Sequence, residues 1–239
     1  MVTIEKVEAG AAAARAMPRL PRRIKDDALR LLALRLRERA PELFEANEAD
    51  VAAARASGAS EAILTRLVYD GKKLEESIAM IDAVSRLPDP SGRTLESRRL
   101  DDGLVLRRVS CPIGLIALIF ESRPDALVQM AALAVKSGDA IIVKGGSEAE
   151  RTNRALAAIV AAAGVDAGLP SGWLVQLETR SEVARLLALD GLVDLVIPRG
   201  SNEFVRHIME TSRIPVLGHA GGVCHVYVHG DAAIAMAAA

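Results

Sequence analysis

Cysteine, unbroken apolar sequence and charge of one sign are all scarce in this chain of 239 residues. Two cysteines, Cys111 and Cys224, make no disulfide framework and suit a reducing cytoplasm. The longest apolar runs, Ile113–Phe120 and Leu156–Val165, each contain a glycine and stop well short of the roughly 18–20 residues of a membrane helix, so no membrane span is expected. Glu5, Lys6 and Glu8 precede any apolar stretch, a start expected of neither a secretory signal nor an Arg-rich transit peptide. Thirty Lys+Arg against 31 Asp+Glu leave a net charge of -1, which argues against a general nucleic-acid binder. Neither G-x-G-x-x-G nor G-x-x-x-x-G-K-[ST] occurs, so the ordinary dinucleotide and P-loop fingerprints are missing.

What is present divides the chain near residue 110. Alanine runs at Ala11–Ala14 and Ala52–Ala54 give the first part high helix propensity. Apolar positions from Ile24 to Leu36 recur at helical spacing, Pro41 marks the stop, and further helices are predicted over Glu42–Ala56, Glu61–Val68 and Gly71–Leu87. Two short segments, Leu95–Arg99 and Leu104–Val109, flank Asp101-Asp102-Gly103 and read as a β-hairpin. After Cys111-Pro112, apolar runs alternate with amphipathic ones. Strands are predicted at Ile113–Phe120, Ala140–Lys144, Trp173–Leu177, Leu192–Ile197, Ile214–Leu217 and Val223–Val228. Helices are predicted at Asp125–Lys136, Ser147–Ala163, Ser181–Leu189 and Asn202–Thr211, with another beginning at Asp231. The fold class is therefore α/β. A Rossmann-like parallel sheet with helices on both faces (residues 111–239) follows an N-terminal helical region and a hairpin (residues 1–110), and ligands are expected at the carboxyl edge of its strands.

Three strand ends carry residues that chemistry could use. Lys144-Gly145-Gly146-Ser147-Glu148 joins a cation and two glycines to an expected helix start at Ser147, with Glu150 completing a capping box. Free N–H groups there could hold a phosphate or ribose, and a plain βα turn reads equally well. Arg199-Gly200-Ser201-Asn202 repeats the pattern, with Ser201 or Asn202 as a simple N-cap for its alternative. Glu121-Ser122-Arg123-Pro124 places an acid, a hydroxyl and a guanidinium at the same edge, as a ligand site or as a surface Glu121–Arg123 pair. Near the end, His219, Cys224, His225 and His229 invite a nucleophile or metal reading. On a strand Cys224 and His225 would face opposite ways, and His225 and His229 would lie about 13 Å apart, so no metal site is expected. A buried structural thiol is the preferred reading of Cys224 and Cys111.

Pro112-Ile113-Gly114, Phe120-Glu121-Ser122-Arg123-Pro124-Asp125, Lys136-Ser137-Gly138-Asp139, Lys144-Gly145-Gly146-Ser147-Glu148-Ala149, Gly168-Leu169-Pro170, Ile197-Pro198-Arg199-Gly200 and Gly222-Val223-Cys224-His225 together resemble, in order and spacing, the γ-glutamyl phosphate reductase family. That family, the glutamate-5-semialdehyde dehydrogenases, is a branch of the aldehyde dehydrogenase superfamily. The resemblance implies reduction of γ-glutamyl phosphate to glutamate 5-semialdehyde and phosphate in proline biosynthesis, with NADPH as cofactor. A cysteine thiolate would form a thioester that hydride then reduces. By resemblance, Lys144 and Glu148 hold the adenosine ribose region, Gly145, Gly146 and Ser147 form the close backbone approach, and Gly200-Ser201 holds the pyrophosphate. Ser122 stands where related dehydrogenases place an oxyanion-hole Asn, and Glu121 and Arg123 face the substrate. The resemblance also implies a cytoplasmic homo-oligomer, with glutamate 5-kinase as a candidate partner. It places the nucleophile in a Cys-Asn-Ala-like motif after the last residue of this chain, which makes Cys224 a decoy. A catalytically inactive NADP(H)-binding fragment and a different aldehyde or acyl-phosphate dehydrogenase are the alternatives.

Overall fold

The alanine- and leucine-rich first part folds into helices α1 (Val2–Ala16), α2 (Arg22–Glu38), α3 (Ala40–Ala56), α4 (Glu61–Leu67) and α5 (Gly71–Arg86) of the computed structural model, which describes residues 2–218 and 225–237. Pro41 lies in the first turn of α3, where its missing N–H removes no helical bond. The Asp-Gly signal yields an antiparallel hairpin, β1 (Thr94–Asp101) with β2 (Leu104–Val109), exposed along its whole length.

Leu115–Ile119 has no polar side chain to turn toward water, and it forms β3 with all five residues buried. Then follow α6 (Pro124–Ser137), β4 (Ala140–Lys144), α7 (Glu150–Asp166), β5 (Leu174–Gln176), α8 (Arg180–Leu186), β6 (Leu195–Pro198), α9 (Asn202–Thr211) and a single turn, α10 (Ile234–Ala237). The strands make a parallel sheet in the order β5-β4-β3-β6. Chain direction reverses after β5, because β6 returns to the far side of β3. Right-handed crossovers then put α6 and α7 on one face and α8 on the other. Helix α1 lies beside α8 against β3, β4 and β5, while α2, α3 and α5 pack outside α6 and α7.

Trp173, fully buried before β5, donates from its indole to Ala161 O at 3.1 Å and covers Gly164 of α7 so closely that any Cβ there would collide with the ring. Charges seal the outer helices. Buried Lys25 reaches both oxygens of Asp89 at 3.2 and 3.1 Å, and buried Lys136 donates to Asp26 at 2.9 Å and to Ser85 O at 2.8 Å. Burial raises the Asp26 carboxyl, but Lys136 and Arg22 outweigh it and hold the group below its ordinary value.

Four expectations change. Ser147 opens a 3-10 turn, Ser147–Ala149, without a side-chain cap, and α7 starts only at Glu150, so the Ser147–Glu150 capping box does not form. Ile214–Leu217 is reduced to one parallel bridge, Val196 to Val216, because Pro215 has no N–H to extend a ladder. His225–Val228 is not strand; Val226 and Tyr227 are 85% exposed and pair with no strand among the described residues. The remainder of that segment, with His219 and Cys224, lies outside the described residues. The helix expected from Asp231 is one exposed turn, which buries no apolar side chain to hold more.

Glycine to alanine inside a helix ordinarily stabilises by up to about 1 kcal/mol. At Gly164 the sign reverses, because the added methyl meets a buried, hydrogen-bonded indole. Gly164→Ala is expected to lose about 1–3 kcal/mol in urea unfolding, and an unchanged or raised midpoint would refute the packing account.

Candidate functional site

Strand β3 runs between β4 and β6, so three strand ends open on one edge of the sheet at the point where chain direction reverses. A cleft of about 1120 Å³ lies there, slightly larger than the usual ligand site. Glu121 and Ser122 after β3, Lys144 at the end of β4 with Gly146, Ser147 and Glu148 after it, and Phe204 and His207 of α9 line it. Val183 of α8 and Leu187, just after it, close its far side.

Ser122 is the only non-glycine with positive φ (+38°) among the described residues. A serine held there stores of the order of 1–3 kcal/mol of backbone strain. Glu148 compensates it. Its Oε1 accepts from both the Ser122 backbone N–H and the Ser122 hydroxyl, each at 2.6 Å. Burial raises the Glu148 carboxyl, yet these bonds, a local backbone bond and the Lys144 charge outweigh it, and the group stays below its ordinary value. The carboxylate also lies across Gly146, where a Cβ would strike it. Both Ser122 donors are therefore engaged with Glu148 rather than offered to an oxyanion.

Lys144, at the end of β4, is half-buried. Burial lowers its ammonium, Glu148 opposes this, and Arg180 adds to it by like-charge repulsion. Gly145 packs on the amide of Asn153, whose buried Oδ1 has no protein partner. At both positions a Cβ would press on a neighbouring side chain, so the turn packs closely against Asn153 and Glu148 beside the cleft. The start of α7 is less open than its pattern implies. Asp50, buried on α3, accepts from Thr152 N at 2.8 Å, Thr152 Oγ1 at 2.8 Å and Arg151 N at 3.3 Å, so the first free N–H groups of α7 serve a protein carboxylate.

Across the sheet, a Cβ on Gly200 would come within 2.8 Å of the Glu121 carboxylate, and Ser201 caps α9 by accepting from Phe204 N at 3.2 Å. Arg123 turns outward to Asp125 at 3.6 Å and not to Glu121, so the surface Glu121–Arg123 pair does not form. Cys111 is exposed, not the buried thiol expected, and lies away from the cleft lining. Among the described residues no group of three His, Cys, Asp or Glu could hold a metal, and no helix is long and apolar enough to cross a membrane.

The sheet order, the switch point and this cleft agree with the sequence match, in which residues 3–239 of this chain fit the aldehyde dehydrogenase family. The chain belongs to that family. It is 53% identical to the gamma-glutamyl phosphate reductase of Pelotomaculum thermopropionicum over 90% of this chain and 49% of that protein. It is 50% identical to that of Acetivibrio thermocellus, over 90% and 50%. Crystal structures of gamma-glutamyl phosphate reductase from Thermotoga maritima (TM-score 0.87, 34% identity, 90% of this chain and 52% of that one) and Saccharomyces cerevisiae (0.86, 38%, 93% and 57%) share the fold. The chain spans about half the length of the curated relatives it matches.

A nicotinamide dinucleotide, which this aldehyde dehydrogenase family implies, fits a cleft at the switch point with a glycine turn and cations beside it. Asp50, Arg151, Arg154, Arg180 and His207 also line the cleft of this family member and were missed in the sequence. Arg180 alone had a signal, since it follows β5 as Lys144 follows β4.

Because its carboxyl is depressed in the folded state, Glu148 contributes stability that is complete above the ordinary glutamate value and is lost as pH falls through the depressed one. Glu148→Gln should flatten the acid limb of a stability–pH profile, and Ser122→Gly should recover part of the loss by relieving φ. An acid limb identical to the parent's would remove Glu148 from this role.

Proposed function

We propose that the chain is the cofactor-binding part of an NADPH-dependent γ-glutamyl phosphate reductase, which converts γ-glutamyl phosphate to glutamate 5-semialdehyde and phosphate. The observation that carries this reading is the meeting of Glu121-Ser122-Arg123, Lys144–Glu148 and Gly200-Ser201 on one sheet edge. The relatives' names at about half identity add the substrate. Lys144 and the turn Gly145-Gly146-Ser147 would hold the adenosine ribose end, and Gly200-Ser201 the pyrophosphate. Bound NADPH would supply the hydride. Within this chain, Glu148 fixes the Ser122 turn, which orients the Glu121 and Arg123 side chains, and the exposed Arg123 guanidinium would meet an anionic group of the substrate. Residues 1–110, as helices of the cofactor unit with a bridging hairpin, and residues 111–239, as its βαβ part, make up the proposed unit. A cytoplasmic homo-oligomer, supplied by glutamate 5-kinase, completes the proposal.

Titration of the chain with NADPH, followed by nicotinamide fluorescence, tests the cofactor reading. Saturable binding is expected, weakened about tenfold or more in Lys144→Ala. Absence of binding to any nicotinamide dinucleotide by the folded chain would overturn it. Phosphate-dependent reduction of NADP+ by glutamate 5-semialdehyde tests the nucleophile. A folded, NADPH-binding chain is expected to show no turnover, which leaves a binding unit. Turnover abolished in Cys224→Ala would place the nucleophile at Cys224 instead.

A further inference from the structure

Ser122 is strained where glycine would not be. A residue without a Cβ adopts a φ of +38° freely, and what serine adds over glycine at this turn is a hydroxyl. Among the described residues that hydroxyl has one partner, Glu148 Oε1 at 2.6 Å, and the Ser122 N–H reaches the same oxygen at 2.6 Å. The strain is therefore offset by the hold on one carboxylate.

Only half of that carboxylate is engaged. Glu148 Oε2 accepts no hydrogen bond from another of the described residues and is not buried, and Glu148 itself is half-buried in the lining of the cleft. The other acids there differ. Asp50 is taken up by the start of α7 and Glu150 by Arg154, while Glu121 is exposed and lies against Gly200. Glu148 stands in the short 3-10 turn Ser147–Ala149, which follows two glycines. A glutamate side chain free on such a turn has rotamer freedom that a ligand must remove on binding. Ser122 removes it beforehand.

A ligand hydroxyl that donates to Oε2 thus meets a carboxylate already fixed from another strand end. Whatever binds Glu148 in its clamped position also stabilises the clamp, and the clamp strengthens that binding by the same factor. Because Ser122 lies between Glu121 and Arg123, this link reaches the turn at the end of β3 from the cleft.

We propose that Ser122 is a positioning residue that acts through Glu148, holding the carboxylate ready for a hydroxyl of the ligand, so that filling the cleft tightens the turn at the end of β3. The proposal rests on the dinucleotide reading of the cleft, whose ribose supplies the hydroxyl. It gives Ser122 a role other than that of the oxyanion-hole Asn whose place it takes by resemblance. NADPH titrations of the parent chain, Ser122→Ala, Glu148→Ala and the double variant test it, with circular dichroism as the check on folding. Ser122→Ala is expected to weaken NADPH about fivefold or more, the lower end of couplings between sites, and to have no further effect once Glu148 is replaced. Saturating NADPH is expected to slow hydrogen exchange at the Ser122 amide in the parent and not in Glu148→Ala. Equal weakening by Ser122→Ala with and without Glu148 would mean a general structural effect, and tighter binding would mean that the serine competes with the ligand. Either result, like unchanged binding in Ser122→Ala or in Glu148→Ala or an unchanged Ser122 exchange rate, overturns the proposal while the dinucleotide reading stands. If the folded parent binds no nicotinamide dinucleotide, both fall.

Discussion

Everything else in this structure is arranged around the burial of β3 on both faces and both edges. A strand with β4 and β6 beside it, α6 and α7 on one face and α1 and α8 on the other has no exposed flank for polar chemistry. Its polar residues can appear only where it ends, at Glu121-Ser122-Arg123. The reversal of chain direction across β3 then opens a crevice at that end, and the turns after β4 and β6 are forced to border it.

Carboxylates accepting from backbone N–H groups fix these strand and helix ends. Asp139 accepts from Gly114 N and Asp194 from Leu115 N, both at 2.8 Å, which set the entry to β3. Glu148 sets its exit, and Asp50 sets the start of α7 from a helix about a hundred residues earlier. Asn47, one turn before Asp50, joins the same region to α4 by donating to Leu67 O and accepting from Tyr69 N. The Tyr69 hydroxyl is sealed in this layer, where burial pushes its pKa up to about 12 despite a bond to Ser77. Charge in this protein therefore works as a set of local clamps. At the cleft the half-buried Lys144 stands in the field of Glu148, the same carboxylate that fixes the Ser122 turn.

Much of the fold was legible because the chain's patterns are local. Periodicity marked α2 to α5, the Asp-Gly turn marked the hairpin, and strict apolar runs marked β3 and β4 almost to the residue. The failures share one physical cause. Ser147-Glu148 read as a cap because the spacing allowed it, but Glu148 finds a strained serine on another strand end and Asp50 takes the helix start. Ile214–Leu217 and His225–Val228 have strand composition, and composition cannot supply a partner to pair with. Arg151 and Arg154 carried no signal along the chain, and only the packing of α7 brings them to the cleft.

The sequence by itself determined the class of fold, the strand ends that matter and the family, since burial period, turn chemistry and motif order are written along the chain. Tertiary structure alone decided which charges are matched. Ion pairing depends on distances across strands and helices that lie tens to a hundred residues apart, and only the folded sheet brings Glu148 to Ser122 and Asp50 to the start of α7.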